Sequence, residues 1–326
     1  MERPMTPGDI TIAVTVFDRR DYIEQAVDSA LAQTSPVRVM VVEDCSPDKG
    51  LQSFVLSRFG SRITYHRNSI RRGLFDNWNA CVQLCPTPWL CLLHDDDFLA
   101  PDFVEAMVEL AAKMPGEGLY YGRCNYVDSK GRVALVPTAP DTPKWQSADV
   151  VSVALFNPVR FPAELFRADY TRALGGFCPT SQFSGDWDMW FKLSLHYGAA
   201  WTNRVVGNSR SHKAEGRGTV RVERTGKYQA LIAMQAKKNA ALLRQRGIEV
   251  SYNRAAALKS YPVPTRFLLE YASSFSHRML AYNVGQLLSS RPVHPGYLLF
   301  QTLARCLGPG FVSAASKLYK TCKRTV

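Results

Sequence analysis

No stretch of this 326-residue chain offers an uncharged apolar run approaching the ~18 residues a bilayer-spanning helix requires. The opening residues, "MERPMTPGDI", contain no apolar signal core, so a cytoplasmic chain is expected. None of the eight cysteines belongs to a C-x-x-C pair. Cys81, Cys85, Cys91 and Cys124 lie in or beside apolar segments, which predicts buried free thiols in a reducing compartment. Neither G-x-x-x-x-G-K-[ST] nor a G-x-G-x-x-G after the first strand occurs, which argues against the common ATPase and dinucleotide-binding classes. Acid is nearly missing from the last hundred positions. From Lys227 onward only Glu249 and Glu270 oppose 15 Lys and Arg, a net of +13, so residues 1–226 carry −1 of the whole-chain +12.

What is present suits a folded enzyme-sized chain. Apolar residues make up 46% and charged residues 21%, enough for a full core. "ITIAVTVF" (10–17), "VRVMVV" (37–42) and "PWLCLL" (88–93) read as fully apolar strands. They alternate with helical stripes over 22–31, 49–58 and 74–84, and Pro101 introduces another. Continuously apolar strands between helices predict an α/β fold, a mostly parallel sheet covered on both faces. After residue 117 two strands around a Ser-Lys-Gly turn are expected, then an irregular proline-marked connection, a helix starting near Asp186, and a basic helical region from Lys227.

The stretch "LLHDDDFLAP" sets three aspartates, Asp95, Asp96 and Asp97, at the end of an apolar strand. Ligands of parallel sheets bind outside the carboxyl ends of the strands. That rule brings Thr15–Asp18, Glu43–Ser46 and Asp95–Asp97 to one edge. Read as hard oxygen ligands without nearby His or Cys partners, the cluster suits Mg²⁺ or Mn²⁺ better than zinc, and such ions share their coordination with phosphates. A diphosphate-bearing ligand is therefore expected.

Four segments in order carry a resemblance: "TIAVTVFDRRDYIEQAVDSALAQT" with "VVEDCSPD", then "LLHDDDFLAPDFVE", then "GGFCP", then "GDWDMWFKL". Together they resemble the family 2 glycosyltransferases, nucleotide-sugar enzymes of GT-A fold, over about Asp9 to His212. The resemblance implies a GT-A-like sheet with a C-terminal helical extension, divided as a catalytic domain over 1–226 and a basic extension over 227–326. It implies an inverting transfer of sugar from a nucleoside diphosphate, most often UDP, to a hydroxyl of a glycan or lipid-linked glycan, assisted by Mn²⁺ or Mg²⁺.

Residue by residue, the resemblance implies that Thr15 and Asp44 contact the nucleobase, although Asp44 also reads as a turn aspartate before Ser46-Pro47. Asp95 faces the ribose or the metal, and Asp96 is the principal metal ligand. Asp97 either shares the metal or stabilises its loop. His94 stands where many members carry the first aspartate. Asp186 aligns with the general base, desolvated by Trp187 and Trp190; read structurally, it is a helix N-cap with Asp188 exposed in the first turn. His212 matches a histidine that some members place near the diphosphate or on the metal. Arg71 and Arg72 are either diphosphate contacts or a solvated pair.

The basic tail suits helices lying on an anionic membrane surface, a peripheral attachment on the cytoplasmic face, or a packed appendage with a solvated face. Nucleic acid is not expected, because the aromatics are not interleaved with the basic residues as a stacking platform. Two rival functions are a non-catalytic glycan- or membrane-binding relative, which need not keep the base or metal carboxylates, and a metal-dependent phosphotransferase using one aspartate of the triple.

Overall fold

Seven consecutive residues, Ile10–Val16, form the central strand β1, buried along its whole length. The computed structural model describes residues 3–135, 144–155, 157–210 and 227–250. β1 pairs in parallel with β2 (Arg38–Glu43) and with β4 (Trp89–His94), and β2 pairs in parallel with β3 (Thr64–Arg67). Strand residues alternate between two cores. Ile10, Ile12, Val14, Val39, Val41, Cys91 and Leu93 face one; Ala13, Met40, Val42, Leu90 and Leu92 face the other. With both faces covered, apolar residues are favoured at successive strand positions, which is why these strands show no alternating pattern.

The first face is covered by α1 (Ile23–Leu31), α2 (Leu51–Phe59) and α4 (Phe103–Lys113), through Ile23, Val27, Leu51, Val55, Phe103 and Met107 among others. α4 starts at Phe103, two residues past Pro101. On the second face lie α3 (Leu74–Leu84), contributing Trp78, Cys81 and Val82, and α7 (Gly185–Tyr197), contributing Met189, Trp190 and Leu193.

Beyond β4 the sheet becomes mixed. The order is β3-β2-β1-β4-β9-β6-β10-β5, where β5 is Phe98–Leu99, β6 Leu119–Val127, β9 Glu164–Arg167 and β10 Ala199–Arg210. β9 runs antiparallel to both β4 and β6, while β6 and β10 are parallel. β7 (Val133–Leu135) and β8 (Trp145–Ser147) add to β6 and β10. The short helices α5 (Val150–Leu155) and α6 (Ala168–Ala173) flank β9 in sequence.

α8 (Lys227–Gln245) is the helix described in the basic region. Residues 235–250 belong to the same compact unit as residues 3–210. There Leu243 packs in a small cluster with Val153, Ala154 and Phe191. Six free cysteines are described, Cys81, Cys85, Cys91 and Cys124 all buried. Among the described residues no helix is long and apolar enough to cross a membrane. The expectations for residues 137–143 and for the membrane-facing tail from 251 lie outside the described residues.

Candidate active site

Parallel register places the site. Thr15 lies opposite Val42 on one side and His94 on the other. The pairing continues one step past the strand ends, with the Asp44 amide donating to the Val16 carbonyl at 2.8 Å and the Asp95 amide to the Thr15 carbonyl at 3.1 Å. Thr15, Asp44 and Asp95 are thereby brought to one sheet edge, all buried.

Asp44 organises the neighbouring loop. Its carboxylate accepts the amides of Arg72 (2.7 Å) and Gly73 (2.8 Å) and the Asn68 side-chain amide (3.2 Å). Gly73 sits before the first turn of α3 at φ 87°, a conformation that favours glycine. A carboxylate at this helix N-terminus satisfies amides that would otherwise lack partners. The turn role expected for Asp44 before Ser46-Pro47 is instead filled by Glu43, whose Oε1 accepts the Ser46 amide at 2.9 Å and whose carboxylate pairs with Arg67. Arg71 stacks over Phe17 at 4.1 Å. Both Arg71 and Arg72 line an open groove of about 690 Å³ with His66, Asn68 and Asp76.

At the end of β4 the three aspartates have different partners. Arg19, from the loop after β1, reaches Asp95 Oδ1 at 3.0 Å and also pairs with Asp96. Asp97 accepts the Arg210 amide at 2.7 Å, and His94 Nδ1 lies 3.7 Å from its other oxygen. The Arg210 side chain donates to the carbonyls of Asp96 (2.8 Å), Asp128 (3.1 Å) and Ser129 (3.0 Å). Burial pushes the Asp95 and Asp97 carboxyls up, opposed at Asp95 by Arg19 and at Asp97 by the Arg210 amide. Burial lowers His94 to about 4, so its imidazole is neutral near pH 7.

His94, Asp96 and Asp97 each offer a ligand atom, and those atoms lie within 4.8 Å of one another. His94 Nε2 is buried without a hydrogen-bond partner among the described residues. Two carboxylates and a neutral imidazole nitrogen fit Mn²⁺ or Mg²⁺, and a cation there would draw the protons off the buried carboxyls. His212 lies outside the described residues.

Asp186 stands in the first turn of α7. Ser184, not Asp186, occupies the N-cap position. Asp186 is half-buried and accepts the Asn157 side-chain amide at 3.0 Å. Burial raises its carboxyl, opposed by the Trp187 amide, Arg160 and Asn157. Trp187 and Trp190 are buried as expected, Trp187 donating to the Val153 carbonyl at 2.6 Å. The Phe161 ring lies 4.6 Å from that of His94 and 5.7 Å from that of Trp190. Asp188, expected exposed, is 1% exposed. It is held by Lys192 at 2.6 Å, Lys238 at 2.8 Å and Gln235 at 3.0 Å. Its oxygens are committed, so of the two it is Asp186 that remains available.

Sequence reasoning missed Arg19, Asn157, Glu164 and Arg210. Glu164 sits at the start of β9, fully buried, accepting the Leu92 amide at 3.1 Å and close enough to feel both Asp97 and Asp186. Arg19 lies inside the first quoted motif and could have been singled out as its lone cation pair with Arg20. The other three sit where no motif or period marked an element.

Residues 11–157 match the family model described as Glycosyl transferase family 2. Over those residues the chain is similar to the family 2 glycosyltransferases. A protein of Rickettsia bellii named an uncharacterized glycosyltransferase is 25% identical over 213 residues, 64% of this chain and 30% of its own length. The chain thus spans about a third of the length of the first curated relatives it matches. The transferase fold is shared with two solved structures. S. aureus TarS in complex with UDP-GlcNAc has a TM-score of 0.55 at 13% identity, covering 96% of this chain and 92% of that one. The mannosyltransferase PcManGT of Pyrobaculum calidifontis, in complex with GDP-Man and Mn²⁺, has a TM-score of 0.55 at 18% identity, covering 97% and 89%. The GT-A fold expected of the glycosyltransferase domain is therefore the fold it has.

Proposed function

We propose that this glycosyltransferase domain transfers a sugar, with inversion, from a nucleoside diphosphate to a hydroxyl of a glycan or lipid-linked glycan, with Asp186 as the general base. The observation that carries this reading is the contrast within one helical turn. Asp188 is buried and consumed by ion pairs, whereas Asp186 is half-buried, raised by burial, and held by the Asn157 side-chain amide. A carboxylate with a raised pKa is a better acceptor for a hydroxyl proton than an ordinary aspartate.

In this reading Thr15, Asp44 and Asp95 face the nucleoside, and Arg71 and Arg72 approach the diphosphate from the groove beside Asp44. His94, Asp96 and Asp97 hold Mn²⁺ or Mg²⁺, with His212 a further candidate ligand. The cation supplies charge neutralisation to the leaving diphosphate. Asp186 takes the acceptor's proton as its oxygen bonds to the anomeric carbon. The bond from that carbon to the diphosphate oxygen breaks, its electron pair leaving with the nucleotide. A displacement from the opposite face inverts the anomeric centre. UDP is the favoured nucleotide; the UDP-GlcNAc and GDP-Man complexes of its structural neighbours make UDP and GDP the two to test first. The basic segment 227–326 is proposed to bring the domain to an anionic membrane surface on the cytoplasmic side.

Thermal unfolding with UDP, GDP, dTDP and CDP, each with Mn²⁺ or chelator, tests the donor site. One nucleotide at 100 times its Kd should add about 2.7 kcal/mol, only with metal, and not in Asp96→Ala. Asp186→Asn should keep that binding and lose at least about a hundredfold in transfer. No nucleotide effect at millimolar concentration would sink the reading.

A further inference from the structure

Arg19 and the cation-binding corner share an atom set. Asp96 belongs to the group that can hold a metal, and it is also the carboxylate that Arg19 grips while the other arm of the guanidinium reaches Asp95 Oδ1 at 3.0 Å. The side chains of Asp95 and Asp96 are 4% and 11% exposed, that of Arg19 30%. Two nearly buried carboxylates thus face a cationic fork carried on a half-buried side chain.

A guanidinium matches a carboxylate and a phosphate with equal geometric ease, since both present two oxygens at a similar spacing. Arg19 is therefore equipped for two partners in turn, the aspartates and the donor's diphosphate. A divalent cation arriving alone must compete with it for the Asp96 oxygens. Arriving with a nucleotide diphosphate, the cation takes those oxygens while the diphosphate offers the displaced guanidinium new ones.

We propose that Arg19 couples the binding of cation and donor, competing with the cation for Asp96 when no nucleotide is bound and pairing with the diphosphate when one is. This rests on the donor-site reading above. It makes joint binding of metal and nucleotide tighter than the separate affinities imply, so the domain discriminates against bare metal ions.

The test measures Mn²⁺ binding by electron paramagnetic resonance, with and without UDP and with and without GDP, in the full chain and in Arg19→Gln. Arg19→Gln should bind Mn²⁺ alone about tenfold more tightly and the Mn²⁺–nucleotide pair about tenfold less tightly, within the usual range of site-to-site coupling. Arg19→Lys, which keeps the charge but not the fork, should fall between them. The opposite signs are the signature, because a variant that merely disorders the loop weakens both. Weaker binding of Mn²⁺ alone in Arg19→Gln, or an unchanged coupling between Mn²⁺ and nucleotide, overturns the proposal while leaving the donor site intact. If the unaltered chain binds neither Mn²⁺ nor Mn²⁺ with either nucleotide, the donor-site reading fails and this inference with it.

Discussion

Lys238, in α8, places its ammonium 2.8 Å from the buried carboxylate of Asp188, two residues beyond Asp186. Around that ion pair Gln235 reaches both Asp188 and Asn239, and Asn239 donates to the Ala154 carbonyl at 3.2 Å at the end of α5. Asn157, which holds Asp186, follows α5 closely in sequence. α8 therefore braces both segments that position the proposed base.

Lys238→Met should lower stability by about 1 kcal/mol, less than a fully buried pair because Lys238 is half-exposed and Lys192 remains. Urea unfolding measures that loss. If α8 sets the base, hydrolysis of the stabilising sugar nucleotide by water should fall while nucleotide affinity stays constant. A parallel fall in both would show only general loosening.

Gly185 begins α7 against an aromatic ring. A Cβ there would stand 2.4 Å from Phe75 Cε1 and 2.7 Å from its Cζ. Gly185→Ala should therefore destabilise by ~1–3 kcal/mol, against the small gain alanine normally gives a helix. Adding Phe75→Leu should restore part of it. An additive double variant, measured by thermal unfolding, would place the clash elsewhere.

Glu164 gives stability a pH dependence. Burial pushes its carboxyl well above the ordinary range, only partly opposed by the Leu92 amide, and its Oε2 has no hydrogen-bond partner among the described residues. The folded chain then keeps a proton that the unfolded chain releases near ~4.3. The contribution of Glu164 is complete below that value and is lost as pH rises toward the folded pKa. Denaturation curves in chelator from about pH 5 to 9 should show Glu164→Gln losing less stability than the unaltered chain. Parallel curves would mean Glu164 is ionised throughout.

Asp44→Asn removes a charge that accepts three N–H donors. The side-chain amide would turn a donor toward one backbone N–H, at about 1–3 kcal/mol for the unmet group. Calorimetric titration should show UDP or GDP affinity falling about tenfold, since 1.4 kcal/mol is one decade. Unchanged affinity would confine Asp44 to holding the loop.

The first half of the fold was legible because β1, β2 and β4 are buried on both faces, and an unbroken apolar run leaves little else to conclude. Strand ends alone brought residues 43–46 and 95–97 to one edge; the family resemblance then singled out Asp44 and gave the aspartates their expected roles. β9 gave no such signal: Glu164 opens it and Arg167 ends it, and its burial depends on β4 and β6, which pair with it from distant parts of the chain. β10 was obscured differently. Register shifts after Trp201 and Val205 break any alternation, and Asn203, Arg204 and Asn208 interrupt the run. The buried state of Asp188 could not be read locally, because of the two lysines that compensate it one lies 50 residues away.

Arg210 fastens the aspartate corner from the far end of the domain, through the Asp97 carboxylate, the Asp96 carbonyl and the loop at Asp128 and Ser129. During synthesis the ribosome delivers the three aspartates more than a hundred residues before this clasp. For that interval the Arg210 amide that Asp97 accepts is not yet made. The strands that present the site are thus made early, and the site itself is among the last parts of the domain to be finished.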